Sequence, residues 1–182
     1  MYNLVSLFII KQYEVNSQED FIYIAPEQDL SAIVKVLNQS HETIARDFNF
    51  TKEDNPTNNA FIDEQTLREQ LNNGIELYGL KTADCLVGCI AIEKSKRELD
   101  TYYIEKVSVL PEFRHYGIGV RLMNFATAKI ANVGGKVISI ALIDSNIRLK
   151  KWYMSQGFVE TGFKDFEHLP FRVCFMRKES IV

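Results

Sequence analysis

Residues 107–119 read Val107-Ser108-Val109-Leu110-Pro111-Glu112-Phe113-Arg114-His115-Tyr116-Gly117-Ile118-Gly119, a strand that breaks at proline and passes to a helix through Arg-x-x-Gly-x-Gly. No other stretch constrains the chain as tightly. Glycines at 117 and 119 let the backbone approach a ligand closely, and the first amides of the following helix lack intrahelical partners and lie at its positive end. That geometry suits a pyrophosphate. Arg114 and, one turn later, Arg121 could add charge-assisted bonds to phosphate oxygens. Two other glycine loops do not fit: G-x-x-x-x-G-K-[ST] is absent, and the dinucleotide pattern G-x-G-x-x-G fails because position 122 is Leu122. A tight turn that needs glycine only for its positive φ is the alternative.

The segments around this turn alternate in period. Residues 21–24 read as a strand, and Pro26, Asp29 and the spaced Leu30, Ile33, Val34 and Leu37 as a helix, with a second helix over 41–48. Asn55-Pro56-Thr57-Asn58-Asn59 marks a loop, 63–72 is helical, and Asn73-Gly74 stops it. Strands over 75–81 and 86–93 join through Thr82-Ala83-Asp84 as a hairpin, and 102–110 is the next strand. A helix over 119–131 ends at Gly134-Gly135, a strand covers 137–142, a helix 146–155 ends at Gly157, and 158–163 and 171–177 are strands. This order predicts a single mixed α/β domain over residues 1–182, with no repeat or linker to divide it.

Composition narrows the function classes. The chain has 182 residues with 46% apolar and 12% aromatic side chains, enough for a sizeable core and against disorder. Cys85, Cys89 and Cys174 form no close pair, which argues against a disulfide framework and a thiolate zinc site and favours a reducing, cytoplasmic setting. The apolar run within residues 1–12 falls short of the ~20 residues a membrane span needs and lacks the marks of a secretory signal, so residues 1–20 read as a leader or an extra strand. Residues 12–76 hold 4 basic and 13 acidic side chains, a balance of −9, whereas residues 113–151 hold 7 basic and 1 acidic, a balance of +6. The second stretch could meet an anion and the first a cationic partner, unless both are solvated helix faces. Nucleic acid is not expected of a chain with net charge −3 and no basic run.

Further along, Asn146-Ile147-Arg148-Leu149-Lys150-Lys151-Trp152-Tyr153-Met154-Ser155-Gln156-Gly157-Phe158 sets an asparagine, a helix carrying Tyr153 and a Gly-Phe pair before a strand. With the glycine loop, this segment resembles the GCN5-related N-acetyltransferase (GNAT) superfamily, whose signature pairs an [Arg/Gln]-x-x-Gly-x-[Gly/Ala] loop with a downstream Asn…Tyr-x-x-x-Gly-Phe. The resemblance covers residues 21–178, and the closing Phe166-Glu167-His168-Leu169-Pro170-Phe171 with Cys174-Phe175-Met176-Arg177-Lys178 looks like a bacterial branch of that superfamily. It implies an α/β (α+β) fold with a mixed sheet of about six or seven strands, splayed at the cofactor site and flanked by helices.

The resemblance also implies roles. The backbone amides of Arg114, His115, Tyr116, Gly117, Ile118 and Gly119 would hold the pyrophosphate of acetyl-CoA. Val107 and Val109 would bond its pantetheine arm through their main chains, one amide polarising the thioester carbonyl. Asn146 would position the pantetheine end. Tyr153 would protonate the departing thiolate, since a phenol of pKa ~10 keeps its proton at neutral pH; packing is its other reading. The helix reads Leu-Lys-Lys-Trp before Tyr153, where the superfamily often has a small residue and then Phe or Leu, so Trp152 is assigned to the core. A protonated amine needs a base, and Glu105 is the first candidate, on the cofactor strand and by alternation on one face with Val107 and Val109. An outward glutamate paired with a lysine is the other reading of Glu105. His168 is a second candidate base near a loop that could border the acceptor, and Cys85 and Cys89 read as buried apolar side chains. The expected activity is acetyl transfer from acetyl-CoA to a primary amine of a small molecule or peptide by direct attack in a ternary complex. A polyamine or aminoglycoside would suit the acidic first stretch. A non-catalytic acyl-CoA sensor is the competing class, no membrane partner is expected, and a shared strand edge would allow a homodimer.

Overall fold

The computed structural model describes residues 20–82 and 85–180. Of the expected leader or strand over residues 1–20 all but Asp20, and Ala83-Asp84 of the expected turn, lie outside them. The chain opens with β1 (Asp20–Ile24), α1 (Ser31–Asp47), α2 (Glu64–Asn72), β2 (Glu76–Thr82) and β3 (Cys85–Lys94). It continues through β4 (Thr101–Val109), a one-turn 3-10 segment (Pro111–Phe113), α3 (Ile118–Asn132), β5 (Val137–Ile143), α4 (Ile147–Ser155), β6 (Val159–Asp165) and β7 (Arg172–Glu179). The strands form one seven-stranded sheet in the order β1-β2-β3-β4-β5-β7-β6. Among the described residues only β4 and β5 pair in parallel.

Helices cover both faces, so the inner strands bury alternate residues in two cores. On one face Ile90 and Ile92 of β3 meet Ile118, Leu122, Met123 and Ala126 of α3. On the other, Cys89 and Ala91 meet Ile33, Val36 and Leu37 of α1 and Leu67 and Leu71 of α2. Helix starts follow local chemistry: the Asp63 side chain accepts the Thr66 N–H at 2.8 Å, and Asn146 accepts the Leu149 N–H at 3.1 Å.

Where two helices were expected over 30–37 and 41–48, the structure has the single helix α1. The intervening Asn38-Gln39-Ser40 contains no glycine or proline to break it, and Ser40 is buried. Cys89 is buried as expected, but Cys85 is exposed at the start of β3. Among the described residues no helix is long and apolar enough to cross a membrane.

Two departures from regular pairing shape the centre of the sheet. β4 and β5 pair only from Thr101 to Tyr103 against Val137 to Ser139, and beyond these residues they separate while β5 stays paired with β7. The β5-facing edge of β4 is therefore open over its second half. In the same half β4 carries a bulge against β3: Ala91 opposes Glu105, Cys89 opposes Ser108, and Lys106-Val107 face the single residue Ile90. Lys106 takes φ 51°, a left-handed value that is uncommon for a lysine.

Candidate active site

A cleft of about 1130 Å³ passes through the opening between β4 and β5. It is walled by the loop before α3 and by α4 on one side, and by α1 and the loop after it on the other. Val107, Val109, Arg114, His115, Gly117, Ile118, Gly119, Asn146, Tyr153 and Glu105 all line it. Tyr116, the remaining loop residue singled out in the sequence, is exposed at 44%.

The loop is shaped by two left-handed residues, His115 at φ 69° and Gly117 at φ 77°. Gly117 precedes α3 without supplying any side-chain cap, so the first amides of α3 stay open to a ligand. A Cβ at Gly117 would meet nothing within 4 Å, so conformation rather than space selects glycine there. At Gly119 the reason is contact: a Cβ would lie 3.1 Å from Trp152 Cζ2. Trp152 thus packs α4 onto the start of α3 and also lines the cleft.

Arg114 does something other than reach for phosphate. Its Nη2 donates to the Ser40 carbonyl at 2.7 Å, its Nη1 to Thr43 Oγ1 at 3.1 Å, and its Nε to the Val109 carbonyl at 3.3 Å. The planar guanidinium ties the loop to α1 and to the end of β4. Asn146 likewise directs its side-chain oxygen into the cap of α4.

Tyr153 is the buried residue of α4, edge-on to Trp152 at 4.9 Å and to Phe158 at 5.6 Å between ring centres. Burial raises its pKa above the ordinary phenol value, which keeps the hydroxyl protonated.

The bulge corrects the expected placement of Glu105. Tyr102 and Ile104 face the α3 core, and after the extra residue Val107 and Val109 face it too, so the alternation changes phase. Glu105 opposes Ala91 and shares its α1-facing side. It stands across the sheet from Val107 and Val109 rather than beside them. Its carboxyl is raised by burial, lowered by Lys106 and raised by Glu93.

Sequence reasoning missed the group around Glu105. His41, on α1 four residues after the buried Leu37, places Nε2 3.0 Å from Ser108 Oγ. Ser108 Oγ also lies 3.0 Å from the Lys106 carbonyl, which can accept its hydroxyl proton. Burial first, then the charges of Lys106 and Arg114, hold the His41 pKa down at about 4, so the imidazole is neutral at neutral pH. Lys106 Nζ donates to Asn59 Oδ1 at 3.0 Å. Asn38 on α1, its amide oriented to satisfy its neighbours, donates to the Asn59 and Ile62 carbonyls at 2.8 and 3.2 Å and fixes that loop. The available signal was His41 continuing the spacing of Ile33 and Leu37 on α1.

Two further expectations change. His168 is exposed and lines a separate pocket of about 560 Å³ with Phe48, Phe50, Asp54 and Glu167, while Leu169 and Phe171 border both spaces. Among the described residues, the acidic first stretch does not make the cleft acidic: it contributes Ser40, His41, Thr43 and Ile44 from α1 and Asn55, Thr57, Asn58 and Asn59 from the loop after it, with no carboxylate. The cleft's carboxylates are Glu93 and Glu105.

A family model described as "Acetyltransferase (GNAT) domain" matches residues 46–180. No curated protein matches. Among solved structures, a GNAT-family protein from Desulfovibrio desulfuricans is 17% identical, with a TM-score of 0.68 over 90% of this chain and 99% of that one. The ribosomal-protein-S18-alanine N-acetyltransferase of Escherichia coli is 15% identical, with a TM-score of 0.69 over 91% and 96%. A ribosomal-protein-alanine N-acetyltransferase from Brucella melitensis is 19% identical, with a TM-score of 0.67 over 88% and 99%. The splayed sheet, the glycine loop and the matched family model lead to one assignment: the chain belongs to the GNAT acetyltransferase family, whose members use acetyl-CoA as cosubstrate.

Proposed function

We propose that the protein transfers an acetyl group from acetyl-CoA to a primary amine of a small molecule or peptide by direct attack in a ternary complex. One observation carries the reading: a single cleft crosses the opened sheet, with the uncapped first amides of α3 on one side and a half-buried carboxylate, Glu105, on the other. The residues fit the cosubstrate. The loop offers amides to a pyrophosphate, and the open edge of β4 at Val107 and Val109 offers main-chain groups to an extended arm with amides of its own. Acetyl-CoA supplies an acetyl group activated as a thioester.

The chain's residues supply orientation and proton transfer. A β4 amide donates to the carbonyl oxygen, where negative charge develops. Glu105 takes the proton from the acceptor's ammonium, directly or through water, and its raised pKa matches a base better than that of an exposed glutamate. Tyr153 donates its proton to the departing sulfur. His41 stays neutral beside them, so the ammonium meets no imidazolium.

Thiol release from acetyl-CoA, measured across a panel of amines with mass spectrometry of the products, tests the reading. Amine-dependent release with acetylation at nitrogen is expected. Binding of acetyl-CoA with no transfer to any amine would leave a sensor module instead.

A further inference from the structure

Lys106 is the charged group that the proposed reaction does not use. It is 9% exposed, and both it and its one hydrogen-bond acceptor, Asn59, line the cleft. An ammonium has three protons to donate, and an unpaired buried charge is costly. The single bond to a neutral amide leaves Lys106 without a bonded counter-ion: among the described residues no carboxylate lies within ion-pair distance of Nζ. Burial lowers its pKa, against the opposing pull of Glu105.

The bulge explains how this cation comes to stand beside the candidate base. The extra residue puts Glu105 and Lys106 in succession on the α1-facing side, a carboxylate next to an ammonium in one wall of the cleft. Adopting φ 51° at a lysine costs backbone energy, which the bulge's hydrogen bonds must offset. One wall therefore offers a site for a positive group and a site for a negative group.

We propose that Lys106 binds a carboxylate of the acceptor, so that the amine acetylated here belongs to an amino acid rather than to a polyamine or aminoglycoside. The inference rests on the acetyltransferase reading. The ammonium of the acceptor faces Glu105, and its carboxylate completes the ion pair that Lys106 lacks. A polycation would place a second positive charge against Lys106, while the wall contributed by α1 and its following loop offers it no carboxylate.

The test uses the full chain with acetyl-CoA and three sets of acceptors: free amino acids, their carboxamides, and diamines. Short peptides with an acidic side chain near the N-terminus form a fourth set, which separates a free amino acid from a peptide as the source of the carboxylate. The wild type is expected to favour at least one amino acid over its amide by about tenfold or more in kcat/KM. Lys106→Met should remove that preference, mainly through KM. Asn59→Asp serves as the second variant, because it keeps Lys106 and the fold but gives the ammonium a protein carboxylate. It should remove the preference as well, with acetyl-CoA affinity unchanged. Amides or diamines acetylated as well as acids, a preference that survives both variants, or no turnover of any carboxylated amine by protein that binds acetyl-CoA would each overturn the proposal. A preference confined to the peptides would overturn the free amino acid as acceptor. Failure to bind acetyl-CoA, seen before any acceptor is added, would instead bring down the reading on which it rests.

Discussion

The two ends of the cleft are made of different material. The loop end offers the uncapped main-chain amides of α3, and three side chains nearby hold structure: Arg114 ties the loop to α1, Trp152 fills the space beside Gly119, and Asn146 caps α4. At the other end the cleft is lined by side chains from three separate segments, namely His41 of α1, Asn59 of the following loop, and Glu105 and Lys106 of β4, with His41 held by the buried Ser108. A backbone site depends on conformation and tolerates most side-chain changes apart from those at its glycines. A side-chain site can be retuned residue by residue while the loop stays intact. On this account the loop end serves the shared cosubstrate and the α1 end decides the acceptor.

Substitutions can break this division or sharpen it. The largest effect is expected at Glu105. Glu105→Gln should lower kcat/KM by roughly 10²–10⁴, the usual contribution of general acid–base catalysis, with acetyl-CoA affinity unchanged. Its pH profile is the finer check. A base whose pKa is raised loses activity, as pH falls, at higher pH than an ordinary glutamate would, and the Gln variant should lack that limb. Equal loss of acetyl-CoA binding would show that the two ends are not separate.

Tyr153→Phe comes next, with turnover lowered by about a hundredfold and cosubstrate binding kept. The ring still packs against Trp152 and Phe158, so the urea midpoint should hardly move. Full activity in this variant would return Tyr153 to a packing role.

His41 sharpens the comparison through stability. Its folded pKa, about 4, lies below the unfolded value near 6.5, so the unfolded chain binds more protons between these values. This contribution is complete above pH 6.5 and is lost as pH falls toward 4. It amounts to at most about 3 kcal/mol, at ~1.4 kcal/mol for each tenfold difference in proton affinity between the folded and unfolded chain. Urea titrations at pH 5 and 7.5 should show a larger acid loss for the wild type than for His41→Gln. An equal loss would mean that His41 is not held neutral.

The smallest effect is expected at Gly119→Ala, where the new methyl meets Trp152 at 3.1 Å and the ring must shift. About 1 kcal/mol of stability should go, read as a lower urea midpoint, with part of it recovered when Trp152→Phe makes room.

The same division explains what could be read from the residues alone. The loop end was legible because its information is local: Gly117, Gly119 and the break at Pro111 stand within a few positions of one another, and the turn they make uses backbone. Most element positions were legible for a similar reason, since β3 is a continuous apolar run and α3 shows its helical period directly. The α1 end was not. His41 and Ser108 are 67 positions apart and Lys106 and Asn59 are 47 apart, so only the folded sheet brings them together. The bulge at Lys106 leaves no mark in Tyr102-Tyr103-Ile104-Glu105-Lys106-Val107, yet it moves Glu105 to the other face of the sheet from Val107. Charge totals misled as well, because none of the described carboxylates of the acidic stretch lines the cleft that stretch helps to form.

Calorimetric titration with acetyl-CoA of the wild type, Gly117→Glu and Glu105→Gln addresses the central claim most directly. Micromolar binding by the wild type and by Glu105→Gln, with none detectable in Gly117→Glu, is the predicted result, because a carboxylate on the left-handed turn opposes the pyrophosphate where only backbone should receive it. Absence of binding to the wild type, or undiminished binding to Gly117→Glu, would contradict it.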